Sequence, residues 1–149
     1  MKWINGLILL PFLVYASMAQ GVEEADILGV WTTANAKSVV EISQCDAGLC
    51  GRIISLKEEV YPADDEMAGQ KKVDRNNPDE SKQSNPIIGL QILKGFTFDG
   101  DDVWEDGEIY DPNNGKTYKC KMTMVDKNNL KVRGYIGFAL LGRTTEWTR

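Results

Sequence analysis

The chain has 149 residues, 17 Lys and Arg against 22 Asp and Glu, three cysteines and no histidine. One domain is expected at this length, and the missing imidazole excludes Ser-His-Asp and Cys-His nucleophile pairs, histidine zinc ligation and histidine pH switching. A net charge of −5 lacks the basic footprint of a protein that binds phosphate backbones, so nucleic acid is not an expected partner.

Residues 1–19 read as a secretory signal peptide. Lys2 supplies the positive end, Leu7–Leu10 and Phe12–Val14 the apolar core of a run from Ile4 to Ala16, and Ser17-Met18-Ala19 a small-x-small cleavage site. The apolar run is shorter than the roughly 20 residues of a spanning helix, and Pro11 interrupts it. Cleavage after Ala19 leaves one domain of 130 residues, 20–149, with 16 bases against 22 acids, in the periplasm or outside the cell. No later apolar segment is long enough to cross a bilayer as a helix.

Export places the cysteines in an oxidising compartment. Cys45 and Cys50 flank the turn-like Asp46-Ala47-Gly48-Leu49, which favours a Cys45–Cys50 disulfide over two free thiols. So short a loop stabilises modestly. Cys120 is left over and reads as a buried small hydrophobe rather than a reactive thiol, since buried free cysteine is common and inert.

Alternation of apolar and polar residues predicts eight strands, over 29–33, 37–44, 50–56, 89–98, 102–111, 116–125, 129–136 and 142–147. Asp99-Gly100-Asp101, Asp111-Pro112-Asn113-Asn114-Gly115 and Asp126-Lys127-Asn128-Asn129 are the turns between them. In 116–125, Tyr118, Cys120, Met122 and Met124 share one face and Lys119, Lys121 and Thr123 the other; Leu130, Val132 and Ile136 oppose Lys131, Arg133 and Tyr135 in the next strand. The fold class is all-β, an antiparallel sandwich or barrel whose interior is either packed or hollow enough for one small ligand. If hollow, Tyr118, Met122 and Met124 are the candidate ligand-binding residues, methionine adapting to apolar shapes and tyrosine offering a polar handle. Residues 57–88 hold eight acids, five bases and almost no alternation, and read as one long loop, either a solvated excursion or a lid, with a short helix around 63–68.

Several motifs in order carry a family resemblance: Gly29-Val30-Trp31, Cys50-Gly51-Arg52-Ile53, Asp74-x-Asn76-Asn77-Pro78-Asp79, Pro86-Ile87-Ile88-Gly89, Ile109-Tyr110-Asp111-Pro112 with Gly115-Lys116-Thr117-Tyr118, Val132-Arg133-Gly134-Tyr135-Ile136-Gly137 and Gly142-Arg143-Thr144-x-x-Trp147-Thr148-Arg149. The chain closely resembles the bacterial exported family known as domain of unknown function 2147. The resemblance implies a lipocalin-like (calycin) up-and-down barrel of about eight strands and brings no established reaction or catalytic residue. Its structural mark is Gly29-x-Trp31 on the first strand with an arginine from the chain's end, Arg149 or Arg143, over the indole.

Chemistry without histidine falls to carboxylates. Asp101, Asp102, Glu105, Asp106, Glu108 and Asp111 cluster in sequence, but alternation sends neighbours to opposite faces and no spacing for a glycosidase pair is evident. Asp74-x-Asn76-x-Pro78-Asp79 lacks the glycine and distal glutamate of a calcium loop. The expectation is a protein without cofactor or metal that is not an enzyme and that binds or carries a hydrophobic small molecule or lipid in the bacterial envelope. The alternatives are an envelope interaction protein with an unidentified protein partner and a carboxylate-based hydrolase.

Overall fold

The computed structural model describes residues 21–149; the segment 1–19, expected to be a signal peptide, lies outside them. Eight strands form one closed antiparallel barrel: β1 (Gly29–Thr32), β2 (Ser38–Cys45), β3 (Gly48–Leu56), β4 (Gln91–Phe98), β5 (Val103–Asp111), β6 (Lys116–Asp126), β7 (Asn129–Tyr135) and β8 (Arg143–Thr148). Each strand pairs with the next, and Thr32 opposite Thr148 joins β1 to β8. Closure leaves no long edge to recruit another chain. The eight expected strands are all present, each boundary within two residues. One expected face ends early: β7 stops at Tyr135, so Gly134 takes the inward place after Val132, while Ile136 lies beyond the strand and is exposed.

The turns follow the sequence chemistry. Asp99, Asp111 and Asp126 each accept, through Oδ1, the backbone N–H two residues on, the Asx geometry that reverses a chain. Cys45 pairs with Gly48, so the β2–β3 turn is only Asp46-Ala47. Gly48 has φ +98°, and a Cβ there would run into the Phe96 carbonyl, which two reasons restrict to glycine. The Cys45–Cys50 disulfide links the two strands just inside this turn.

Four of the connections, β1–β2, β3–β4, β5–β6 and β7–β8, lie at one end of the barrel and the other three at the opposite end. The three-connection end is solid. Phe96, Trp104, Met122, Met124 and Leu130 are fully buried there, and Gly107 makes room for Phe96, whose ring lies where a Cβ would stand. Trp31 closes the barrel. Its indole Nε1 donates to the Ile27 carbonyl at 2.8 Å, and the Arg149 guanidinium lies 4.2 Å over its ring. Arg149 also donates to the carbonyls of Asp26, Leu28 and Lys127, tying the last residue to the N-terminal turn Glu24–Ile27. Arg149 is therefore the arginine over the indole; Arg143 begins β8 at the other end and is no partner of Trp31.

The connection between β3 and β4 is built rather than loose. Val60 bridges Lys71 and Val73 bridges Pro86, folding it into a flap. The helix expected around 63–68 is instead a run of turns, with Asp65 N–H bonded to Pro62, Ala68 to Asp65 and Gln70 to Met67. Asp65 diverts the helical pattern: its Oδ1 accepts from the Met67 N–H, and both its oxygens take the Arg75 guanidinium at 2.9 Å.

A candidate ligand cavity at the open end

Above the packed half, the barrel is hollow. A cavity of about 1070 Å³ opens between the four connections. Its lower part is apolar, formed by Ile53, Ile92, Ile109, Val132 and Trp147 from five strands. Tyr118 and Gly134 stand side by side on β6 and β7, and the absent side chain at Gly134 widens the chamber: a Cβ would sit 3.4 Å from Ile109 Cγ2. The rim is polar and of mixed sign, with Lys37, Lys57, Lys72, Arg75 and Arg143 beside Glu58, Asp65 and Asp111; of these bases, Lys37, Lys57 and Arg143 lie outside the flap's own ion pairs.

The flap supplies one wall through Tyr61, Val73 and Ile87. Contacts within the flap brace it, and two ties dock it, Asn76 to the β5–β6 turn and Asp74 to Tyr110. Tyr61 Oη accepts from the Val73 N–H and donates to the Val73 carbonyl, while Arg75 stacks over the Tyr61 ring at 4.4 Å. Asn76 Nδ2 donates to the carbonyls of Pro112 and Asn113 in the β5–β6 turn, where Gly115 is needed because a Cβ would strike the Asn76 carbonyl. Asp74 is fully buried, its two carboxylate oxygens each taking one donor at 2.7 Å: Tyr110 Oη from β5 and Asn77 Nδ2 from the flap. Burial, reinforced by the hydrogen bond to Asp74, pushes the Tyr110 hydroxyl well above the usual phenol range, so it remains a donor. The Asp74–Tyr110 tie spans 36 residues, and nothing local in the sequence marks it.

A family model described as an uncharacterized protein conserved in bacteria (DUF2147) matches residues 29–149. The chain belongs to this family. Its barrel is also similar to a solved structure, protein HP1028 from the human pathogen Helicobacter pylori, which belongs to the lipocalin family: 23% identity, 82% of this chain and 81% of that one covered, TM-score 0.68. Likeness at that identity concerns the fold. No curated protein matches the sequence.

In this DUF2147 barrel the residues singled out as ligand-binding separate by depth. Tyr118 lies in the cavity wall, where its hydroxyl accepts from Asn114 Nδ2 at 3.0 Å. Met122 and Met124 face inward but lie below the cavity, in the solid core, and do not line it. Arg143 stands on the rim. Cys120 is buried beneath, its thiol pushed up to about 12 by burial and so protonated at neutral pH.

The acids grouped in sequence do not converge. Glu105 and Glu108 pair outside the barrel with Lys121 and Lys94, Asp101 and Asp102 belong to the turn at the solid end, and Asp111 reaches the cavity rim. Asp106 is exposed, with φ +60°, where the β5–β6 register shifts. In the calcium-like stretch, Asp74 binds Tyr110, Asn76 binds backbone carbonyls and Asp79 accepts from Ser81, three different directions. Among the described residues no group of three or more His, Cys, Asp or Glu stands ready for a metal.

Proposed function

We propose that the cavity holds a small hydrophobic or amphipathic molecule and that the protein acts by binding or carrying it, without transforming it. The observation that carries this reading is the chamber itself: apolar below, polar at the rim, and of a volume that suits a small-molecule site. An apolar tail fits against Ile53, Ile92, Val132 and Trp147, and an anionic head reaches Lys37, Lys57 or Arg143, with the Tyr118 hydroxyl as a further polar handle. The setting proposed is the bacterial envelope. The N-terminal charge, apolar core and small-residue site support it, as does the Cys45–Cys50 disulfide.

A fluorescent long-chain fatty acid is the direct test. Saturable one-site binding is expected, displaced by unlabelled fatty acid. Gly134→Phe, which places a ring inside the chamber, should abolish it while the melting temperature holds. Arg143→Ala should weaken the fatty acid about tenfold, the worth of one charge-assisted hydrogen bond, and leave the matching alcohol unaffected. Absence of binding by every apolar probe, or full binding by Gly134→Phe, overturns the reading.

A further inference from the structure

The connection from β7 to β8 exposes four large apolar side chains: Ile136 at 71%, Phe138 at 80%, Leu140 at 87% and Leu141 at 78%. Its backbone is held in place. Leu141 N–H donates to the Phe138 carbonyl, and the Arg133 guanidinium donates to the Leu140 carbonyl and to Thr144 Oγ1. The tip therefore presents its side chains from a braced base, at the same end as the cavity mouth. The other exposed large apolar side chains, Val30, Ile54, Val60, Ile88 and Val125, are less exposed and are scattered over other elements, whereas a contiguous cluster marks a place of contact.

The surroundings identify what it contacts. Residues 112–145 carry seven bases and a single acid, Asp126, which lies in a turn at the solid end. The rest of the chain carries ten bases and 21 acids. Since 112–145 build the adjacent strands β6 and β7 and the start of β8, this asymmetry forms one face of the barrel. Lys121 spends its charge on Glu105, and Lys131 stands opposite Glu146. Lys116, Lys119 and Arg143 are exposed toward the mouth, the last two flanking the apolar tip: Lys119 is paired with Tyr135 at the end of β7, and Arg143 follows the tip directly.

Apolar prongs beside a basic face are the complement of an anionic bilayer, where side chains enter the acyl boundary and cations meet the headgroups. A second copy of the chain fits less well. A six-residue tip falls far short of the roughly 20–30 residues a side that a stable protein interface uses, and two copies meeting through this face would bring the like charges of Lys119 and Arg143 together. We infer that the tip 136–141, with the basic face of β6–β8, docks the barrel mouth-first onto an anionic lipid surface. This holds whether or not the cavity is loaded.

The test uses residues 21–149, which contain the whole barrel without the apolar N-terminal stretch that would itself bind lipid. Sedimentation is compared on phosphatidylcholine vesicles with and without about 30% phosphatidylglycerol. Several-fold more protein is expected on the anionic vesicles, with release at about 0.5 M salt, where charges are screened within a few ångströms. Phe138→Ser/Leu140→Ser/Leu141→Ser should lose the binding at an unchanged melting temperature, and Lys119→Glu/Arg143→Glu, which leaves the tip intact, should weaken it selectively on anionic vesicles. The inference is overturned by no sedimentation, by equal binding to both vesicle types, by parent-like binding of both variants, or by a dimer that the triple serine variant abolishes in the absence of any vesicle binding.

Discussion

Trp31 and Arg149 lie far apart in the chain, yet together they reinforce the seam that the Thr32–Thr148 pair joins. The indole is fully buried and spends its only donor on Ile27; the guanidinium covers the ring and gathers the three carbonyls of Asp26, Leu28 and Lys127. Trp31→Ala should therefore cost about 3–5 kcal/mol, the range for truncating a large core aromatic. Arg149→Lys keeps the charge but cannot span three carbonyls, and should cost about 1–2 kcal/mol. Because the two groups touch, a double-mutant cycle in urea should show a coupling of about 1 kcal/mol. Strict additivity would reduce the stacking to a coincidence of packing. The family resemblance, not residue identity alone, marks the pair in the sequence, while the choice between Arg149 and Arg143 requires the topology, which puts the two arginines at opposite ends of β8.

At the scale of elements, strands were easy to read and depth was not. Alternation states which side of β6 faces inward, and Tyr118, Cys120, Met122 and Met124 do share that face. It carries no information on height within the barrel, which depends on how strands tilt and on what fills the interior from elsewhere. Phe96 and Trp104 fill the solid end, so Met122 and Met124 are packed, while Tyr118, two positions nearer the mouth than Cys120, reaches the chamber. The flap was illegible for a different reason: its charges read as solvated, but Asp74, Arg75 and Asn76 bind partners elsewhere in the flap or in β5 and its turn. Its docking is consequently local and breakable. Asp74→Ala leaves the half-buried Tyr110 hydroxyl and Asn77 amide without their acceptor, a loss of about 1–3 kcal/mol from flap docking. The expected readout is tryptic cleavage at Lys71, Lys72, Arg75 or Lys82, faster by at least tenfold, while the barrel still melts cooperatively. If cleavage stays slow, the flap is held by its apolar contacts and the Asp74–Tyr110 tie is dispensable.

For the molecule as a whole, the barrel divides into a packed half that fixes the shape and a hollow half whose wall is partly the flap. A ligand seated in the chamber touches both strands and flap, through Val132 and Trp147 on one side and Tyr61, Val73 and Ile87 on the other. Its binding free energy is then shared between global stability and flap closure. At a hundredfold excess over Kd, a ligand adds about 2.7 kcal/mol to unfolding, which for a chain of this size raises Tm by roughly 8–12 °C. A fatty acid that binds in the chamber should produce that rise and slow tryptic cleavage of the flap in the same titration. An amphiphile adsorbed on the apolar tip around Phe138 touches neither the flap nor the core, so it should leave flap cleavage unchanged. Gly134→Phe separates the two sites again, because it fills the chamber and leaves the tip in place. A rise in Tm that persists in Gly134→Phe, with no protection of the flap, would place the ligand outside the barrel.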